Sequence, residues 1–142
     1  MERFEERRRA DAPIGHAWDI LVSAEHAPDW VPFVSTATTR GEPGIGRVQV
    51  VTGSLLGIRM DIEQTVDVWE PPNHFGWTAP APFLVRLRVD LAEVDATTTE
   101  ITAVIEADLD RFPVGRRIAA RTVKRQFRKS ADALVELLER TA

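Results

Sequence analysis

The sequence predicts an α+β fold in which a curved antiparallel sheet of about seven strands wraps around a long C-terminal helix. Two observations support this prediction. From about residue 47 to residue 110, segment after segment alternates apolar and polar residues, which is typical of antiparallel strands with one solvated face. Residues 116–140 then contain neither Pro nor Gly and carry an apolar stripe at helical spacing. We expect a hollow between the sheet and this helix.

Length and composition limit the possibilities further. A chain of 142 residues with 44% hydrophobic residues and no linker-like segment fits a single domain over residues 1–142. The absence of Cys excludes disulfides and thiolate metal sites, and the absence of Tyr removes a common general acid. No apolar run approaches the length that spans a bilayer, and the N-terminus is polar. We therefore expect a cytoplasmic protein.

The N-terminal elements are a strand and two short helices. Residues 3–10 predict the strand. Asp11 and Pro13 mark a helix start, because an Asp side chain accepts backbone N–H groups and Pro is tolerated in the first turn. The first helix is then predicted over residues 14–21. A second, shorter helix is expected to begin within residues 23–26 and to be limited by two prolines.

The remaining strands are separated by clusters of Gly, Pro, Asn, Asp and Thr. The clearest of them places Ile58, Met60, Ile62, Val66 and Val68 on one face and charged residues on the other. Predicted strands cover residues 33–39, 47–54, 58–69, 74–78, 83–94 and 99–109.

Gln64 interrupts the apolar row of the clearest strand. A buried Gln side chain needs hydrogen-bond partners. One interpretation is that Gln64 contacts a ligand or a cavity water, and the other is that a strand irregularity turns the side chain outward.

The first half of the last helix is strongly basic. Residues 111–142 carry nine Lys and Arg against three Asp and Glu, a net charge of +6 in a chain of net charge −4. We interpret these residues as a solvated face that pairs with the acidic sheet, with contact to an anionic membrane as the alternative. Base-reading motifs are absent, so no nucleic-acid partner is expected. The sequence leaves the oligomeric state open.

Four segments, taken in order, resemble one known superfamily. Residues 12–21 read A-P-x-x-x-x-W-x-x-L, residues 30–34 read W-x-P-x-V, residues 63–77 join a strand to Phe-Gly-Trp, and residues 113–118 open the last helix. This pattern resembles the polyketide cyclase/dehydrase-like branch of the START-like (SRPBCC) superfamily. The resemblance implies a helix-grip fold around a deep apolar cavity. Such proteins bind lipids, sterols, hormones or polyketides, and some catalyse cyclisation or dehydration.

The predicted ligand-binding residues are mainly large apolar side chains, together with the polar Gln64. Trp18 is instead interpreted as core beneath the first helix. The predicted cavity-lining set is Trp30, Phe33, Met60, Ile62, Gln64, Trp77, Phe83, Leu87, Phe112 and Ile118.

Candidate catalytic residues are few. Gln64 and His74 are the ones we consider, although His74 is predicted to point away from Phe75 and Trp77. The three His residues lack metal-site spacing and no phosphate-binding loop is present, so neither a metal nor another cofactor is expected. The favoured hypothesis is binding of a hydrophobic small molecule. The alternatives are a polyketide cyclase, dehydratase or aromatase using the same cavity, and a partner- or membrane-docking protein.

Overall fold

Seven antiparallel strands form one curved sheet, and a 26-residue helix packs against it in the computed structural model, which describes residues 1–142. The strand order is β1-β7-β6-β5-β4-β3-β2. Consecutive strands from β2 to β7 pair as neighbours, because short connections keep strands that are adjacent in sequence adjacent in the sheet. The elements are β1 Glu2–Ala10, α1 Ile14–Val22, a 3₁₀ turn Ala24–His26, α2 Ala27–Trp30, β2 Val34–Arg40, β3 Val48–Leu55, β4 Ile58–Glu70, β5 His74–Ala79, β6 Val85–Asp95, β7 Thr98–Ala107, a 3₁₀ turn Leu109–Arg111 and α3 Arg116–Thr141.

This architecture confirms the predicted helix-grip fold, with two short helices between β1 and β2 and one long helix at the C-terminus. None of the helices combines the length and apolar character needed to cross a lipid bilayer.

The start of α1 differs from the prediction. Pro13 occupies the N-cap position, and no side chain caps the helix. The backbone N–H of Asp11 instead donates to the Glu139 carboxylate at 2.9 Å. Asp11 thus connects the end of β1 to the C-terminal turns of α3.

A β-bulge in β4 changes which residues face the interior. Val66 pairs with Trp77 and Val68 pairs with Gly76, so Asp67 is an extra residue on β4. The prediction that Val68 continues the inner row of Val66 is therefore wrong. Trp69 takes the inner position beyond the bulge, opposite Phe75.

The aromatic core, formed by Trp18 of α1, Trp69 of β4 and Phe75 of β5, fills one end of the interior. Each pair of rings meets edge to face, with centroids 5.3 to 6.2 Å apart. Leu137 and Leu138 of α3 belong to the same cluster and are almost completely buried. The interpretation of Trp18 as core is confirmed.

Candidate functional site

A cavity of about 160 Å³ lies between the sheet and α3 and borders the aromatic core at Phe75. Of its 32 lining residues, 25 are hydrophobic. Strands β3 to β7 supply most of the sheet side, the 3₁₀ turn and α2 supply one end, and residues 123–134 of α3 lie across it. Alternation along each strand explains this lining, because every second side chain points toward the helix.

Eight of the ten predicted lining residues border this cavity. Phe33 lies just before β2, and Phe83 lies in the loop before β6 with its ring buried. Whether these side chains contact a ligand stays a prediction. The eight are Trp30, Phe33, Met60, Ile62, Gln64, Trp77, Phe83 and Leu87.

Phe112 and Ile118 do not line the cavity, and these two predictions are wrong. The Phe112 ring packs edge to face on Phe83 at 5.2 Å, and thus forms a second layer behind the wall. The Ile118 side chain is 55% exposed. Ala119 and Val123 occupy the inward face of α3 at this point, so position 118 is turned about 100° away from it.

His74 lies on the outer face of the sheet. Its neighbour Phe75 is buried inside, so the alternation of β5 directs His74 to solvent, as the sequence predicted. Its Nδ1 lies 2.7 Å from Asp90 Oδ1 in an exposed pair. His74 is therefore wrong as a catalytic candidate within the cavity. No group of three His, Asp or Glu side chains converges as a metal site would require.

Gln64 points inward, so the interpretation in which a strand irregularity turns it outward is wrong. It is 7% exposed, and the bulge of β4 begins only after Val66. Gln49, its Cα partner on β3, also lines the cavity and is 6% exposed. Gln49 Nε2 donates to Gln64 Oε1 at 3.4 Å, near the long limit of a hydrogen bond.

Three buried polar atoms of the lining lack a protein partner: Gln49 Oε1, Gln126 Oε1 and Trp30 Nε1. They come from β3, α3 and α2 respectively, and so from different walls. Sequence reasoning missed Gln49 and Gln126. The sequence does contain a signal for Gln49, because its spacing from Val51 and Leu55 places all three residues on the same face of β3.

Glu6 and Arg8 are the titratable residues of the lining, and both were missed. Arg8 Nη1 lies 3.1 Å from Glu6 Oε2, and Arg8 Nε lies 2.8 Å from Asp132 Oδ1 of α3. Burial opposes the charge of Arg8, but hydrogen bonds to Asp132 and Glu6 outweigh it and raise the pKa of the guanidinium. This ion pair lies at the β1 side of the cavity.

The basic half of α3 is only partly paired. Arg116 Nη2 lies 2.8 Å from Glu2 Oε1, and Arg128 Nε lies 3.7 Å from Glu6 Oε1. Arg117 and Arg121 are exposed and belong to none of the ion pairs. Pairing with the acidic sheet therefore accounts for part of the positive charge.

A second cleft of about 520 Å³ lies between α1 and β2. Only five of its 12 lining residues are hydrophobic, among them Trp18 and Trp69, whose rings belong to the aromatic core. This polar lining is less suited to an apolar molecule than that of the cavity beneath α3.

Several solved structures share this fold at low sequence identity. A START superfamily protein from Mycobacterium smegmatis has a TM-score of 0.82 and 14% identity, with 99% of each chain covered. The Zhui aromatase/cyclase from Streptomyces sp. R1128 has a TM-score of 0.79 and 16% identity, with 98% of this chain and 94% of that chain covered. The protein TTHA0849 from Thermus thermophilus has a TM-score of 0.84 and 11% identity, with 99% of each chain covered.

Sequence comparison gives the family. No curated protein matches the chain. Residues 1–139 match the family model described as polyketide cyclase/dehydrase and lipid transport. This match extends over nearly the whole chain, so the protein belongs to that family.

Proposed function

We propose that this protein binds a hydrophobic small molecule, of lipid, sterol or polyketide type, in the cavity between the sheet and α3. The observation that supports this proposal most directly is an internal space in which 25 of the 32 lining residues are hydrophobic. Dense packing is the norm for protein interiors, and a mostly apolar internal space with a few polar groups in its lining is typical of a small-molecule site.

Burial of apolar surface supplies the binding energy. A ligand that buries about 300 Å² of apolar surface gains roughly 7 kcal/mol before the cost of association. A volume of 160 Å³ is similar to that of engineered cavities that hold benzene. A larger guest therefore requires movement of half-buried walls such as Met60, Trp77 and Phe127.

Titration with fatty acids, sterols and aromatic polyketides tests the proposal. Trp30 and Trp77 border the cavity, so intrinsic fluorescence should change saturably, with calorimetry as the second readout. Ala103→Phe places a ring in the cavity and should weaken binding by about tenfold or more. Val104→Phe, on the opposite face of β7, is the matched control and should bind like wild type.

Two results would contradict the proposal. One is the absence of saturable binding across the panel. The other is binding that Ala103→Phe leaves unchanged, which would place the ligand elsewhere.

The alternative function is a cyclase, dehydratase or aromatase acting in the same cavity, and the position of Glu6 favours it. A carboxylate in an apolar cavity is a candidate for moving protons to or from a bound substrate. For a substrate found by the titration, Glu6→Gln should lower turnover by about 10²-fold. Glu5→Gln and His74→Ala, both on the outer face, should leave turnover unchanged.

Full activity of the Glu6→Gln variant would exclude this residue as a proton carrier. Gln64→Ala tests the remaining candidate from the sequence, since Gln64 lies in the cavity and His74 does not.

A further inference from the structure

Two buried glutamines face each other across β3 and β4 at the cavity wall. Gln49 and Gln64 are direct Cα partners, and both side chains are more than nine-tenths buried. Their single mutual hydrogen bond is long, at 3.4 Å, and Gln49 Oε1 has no protein partner. Two side-chain amides together offer four N–H donors and two carbonyl acceptors. Most of the hydrogen-bond donors and acceptors of this pair are therefore available to a molecule bound in the cavity.

Leaving a buried amide without partners is unfavourable, and an apolar side chain of the same size avoids that cost. The neighbouring inward positions on these strands, Val51 and Ile62, are apolar. The glutamines thus form one polar patch within an otherwise apolar wall. Trp30 Nε1 and Gln126 Oε1 add one further donor and one further acceptor on other walls.

The chemistry of the patch selects a neutral ligand group. Glu6 and Arg8, the charged lining residues, lie on β1, which β7, β6 and β5 separate from β4. Neutral amides do not compensate a buried ionic charge as a counter-ion does. A hydroxyl group fits, because it donates to an amide carbonyl and accepts from an amide N–H at the same time.

We propose that Gln49 and Gln64 form a specificity-determining amide pair that binds a hydroxyl group of a neutral, otherwise apolar ligand. The inference rests on the proposed binding function and adds the ligand class. The cavity volume of about 160 Å³ corresponds to one ring at the present wall positions, and a second ring requires movement of the half-buried walls.

Calorimetric titration with 2-naphthol and 2-methylnaphthalene tests this proposal, because the two compounds differ only in a hydroxyl and a methyl group. Wild type should bind 2-naphthol about five- to tenfold more tightly. The double variant Gln49→Leu/Gln64→Leu should lose that preference while keeping its affinity for 2-methylnaphthalene. Thr65→Val, next to Gln64 but on the outer face, is the control and should keep the preference.

Equal affinities of wild type for the two compounds would overturn the proposal while leaving the binding function intact. A preference that survives in the double variant would overturn it as well. Binding of neither compound, nor of any member of the broader panel, would instead remove the proposed function itself.

A second readout covers the case in which the double variant does not fold. The side-chain amide resonances of Gln49 and Gln64 in the wild-type ¹H–¹⁵N spectrum should shift more with saturating 2-naphthol than with 2-methylnaphthalene. Equal shifts with both compounds would overturn the proposal.

Discussion

The two ends of the interior beneath α3 share one sheet and one helix but differ in packing. At the C-terminal end of the helix, Leu137 and Leu138 are nearly inaccessible and meet the aromatic core. Toward the N-terminal end, Val123 and Phe127 are half-buried and border the cavity. The rings of the first region pack edge to face on one another, whereas the cavity rings Trp30, Trp77 and Phe127 form no such pairs and share the lining with small residues such as Ala103 and Ala131. How the side chains pack, and not the backbone architecture, therefore decides where this fold is filled and where it is hollow.

Removing a large ring should reveal the largest difference between the two ends. Trp18→Ala deletes a ring at the centre of the aromatic core and should lower the free energy of unfolding by about 3–5 kcal/mol. Trp77→Ala removes a half-buried ring that already borders the cavity, and should cost about 1–2 kcal/mol. Urea denaturation measures both. Equal losses would mean that the two regions are packed alike.

Enlarging a side chain should change protein stability in opposite directions at the two ends of the interior. Ala17→Leu inserts atoms at a position that is 1% exposed and packed in the same cluster as the aromatic core, and should destabilise the protein by about 1–3 kcal/mol. Ala131→Leu extends into the cavity and should stabilise the protein by about 0.5–1 kcal/mol. The midpoint of thermal unfolding reports the sign directly. Destabilisation by Ala131→Leu would show that the cavity wall does not accept a larger side chain.

Removing a buried polar group should give the smallest difference in stability between the packed region and the cavity wall. Thr99 is fully buried and its Oγ1 donates to the Ala12 carbonyl at 2.8 Å, so Thr99→Val should cost about 1–2 kcal/mol. Gln49→Leu removes a carbonyl that has no protein partner together with one long hydrogen bond to Gln64, and should lower stability by less than about 1 kcal/mol. Urea denaturation at constant m-value compares them. A loss of more than about 1 kcal/mol for Gln49→Leu would assign the glutamine pair a structural role.

Local pattern was sufficient to predict most of the fold. Alternation in β4 predicted the inner positions of Met60 and Ile62, because a side chain's face follows from sequence spacing alone. Gln64 continues the same inner row, which was one of the two interpretations that the sequence left open. The same rule failed at Val68. A bulge arises from how two strands pair, and the sequence of one strand does not contain that information.

Glu6 and Arg8 are two lining residues that the sequence did not predict. Three consecutive Arg residues at positions 7–9 interrupt the apolar–polar alternation of the first strand, yet Phe4, Glu6 and Arg8 share its half-buried face. That face lies against charged positions of α3, where Arg8 meets Asp132, so it is stabilised by ion pairs and not only by apolar contact. Similarly, an apolar stripe placed Ile118 toward the sheet, but the orientation of the first turn of α3 exposes it. Such features depend on tertiary partners.

Attachment along its whole length holds α3 in place over the cavity. Its C-terminal turns are held by leucine packing and by the contact between Glu139 and the Asp11 backbone, and Asp132 and Arg116 pair with side chains of β1. A helix supported in this way does not tilt without losing several of these contacts. Room for a larger guest would therefore come from new rotamers of the half-buried wall side chains, with the helix and every strand pairing unchanged. The largest acceptable guest is then a property of a few flexible side chains.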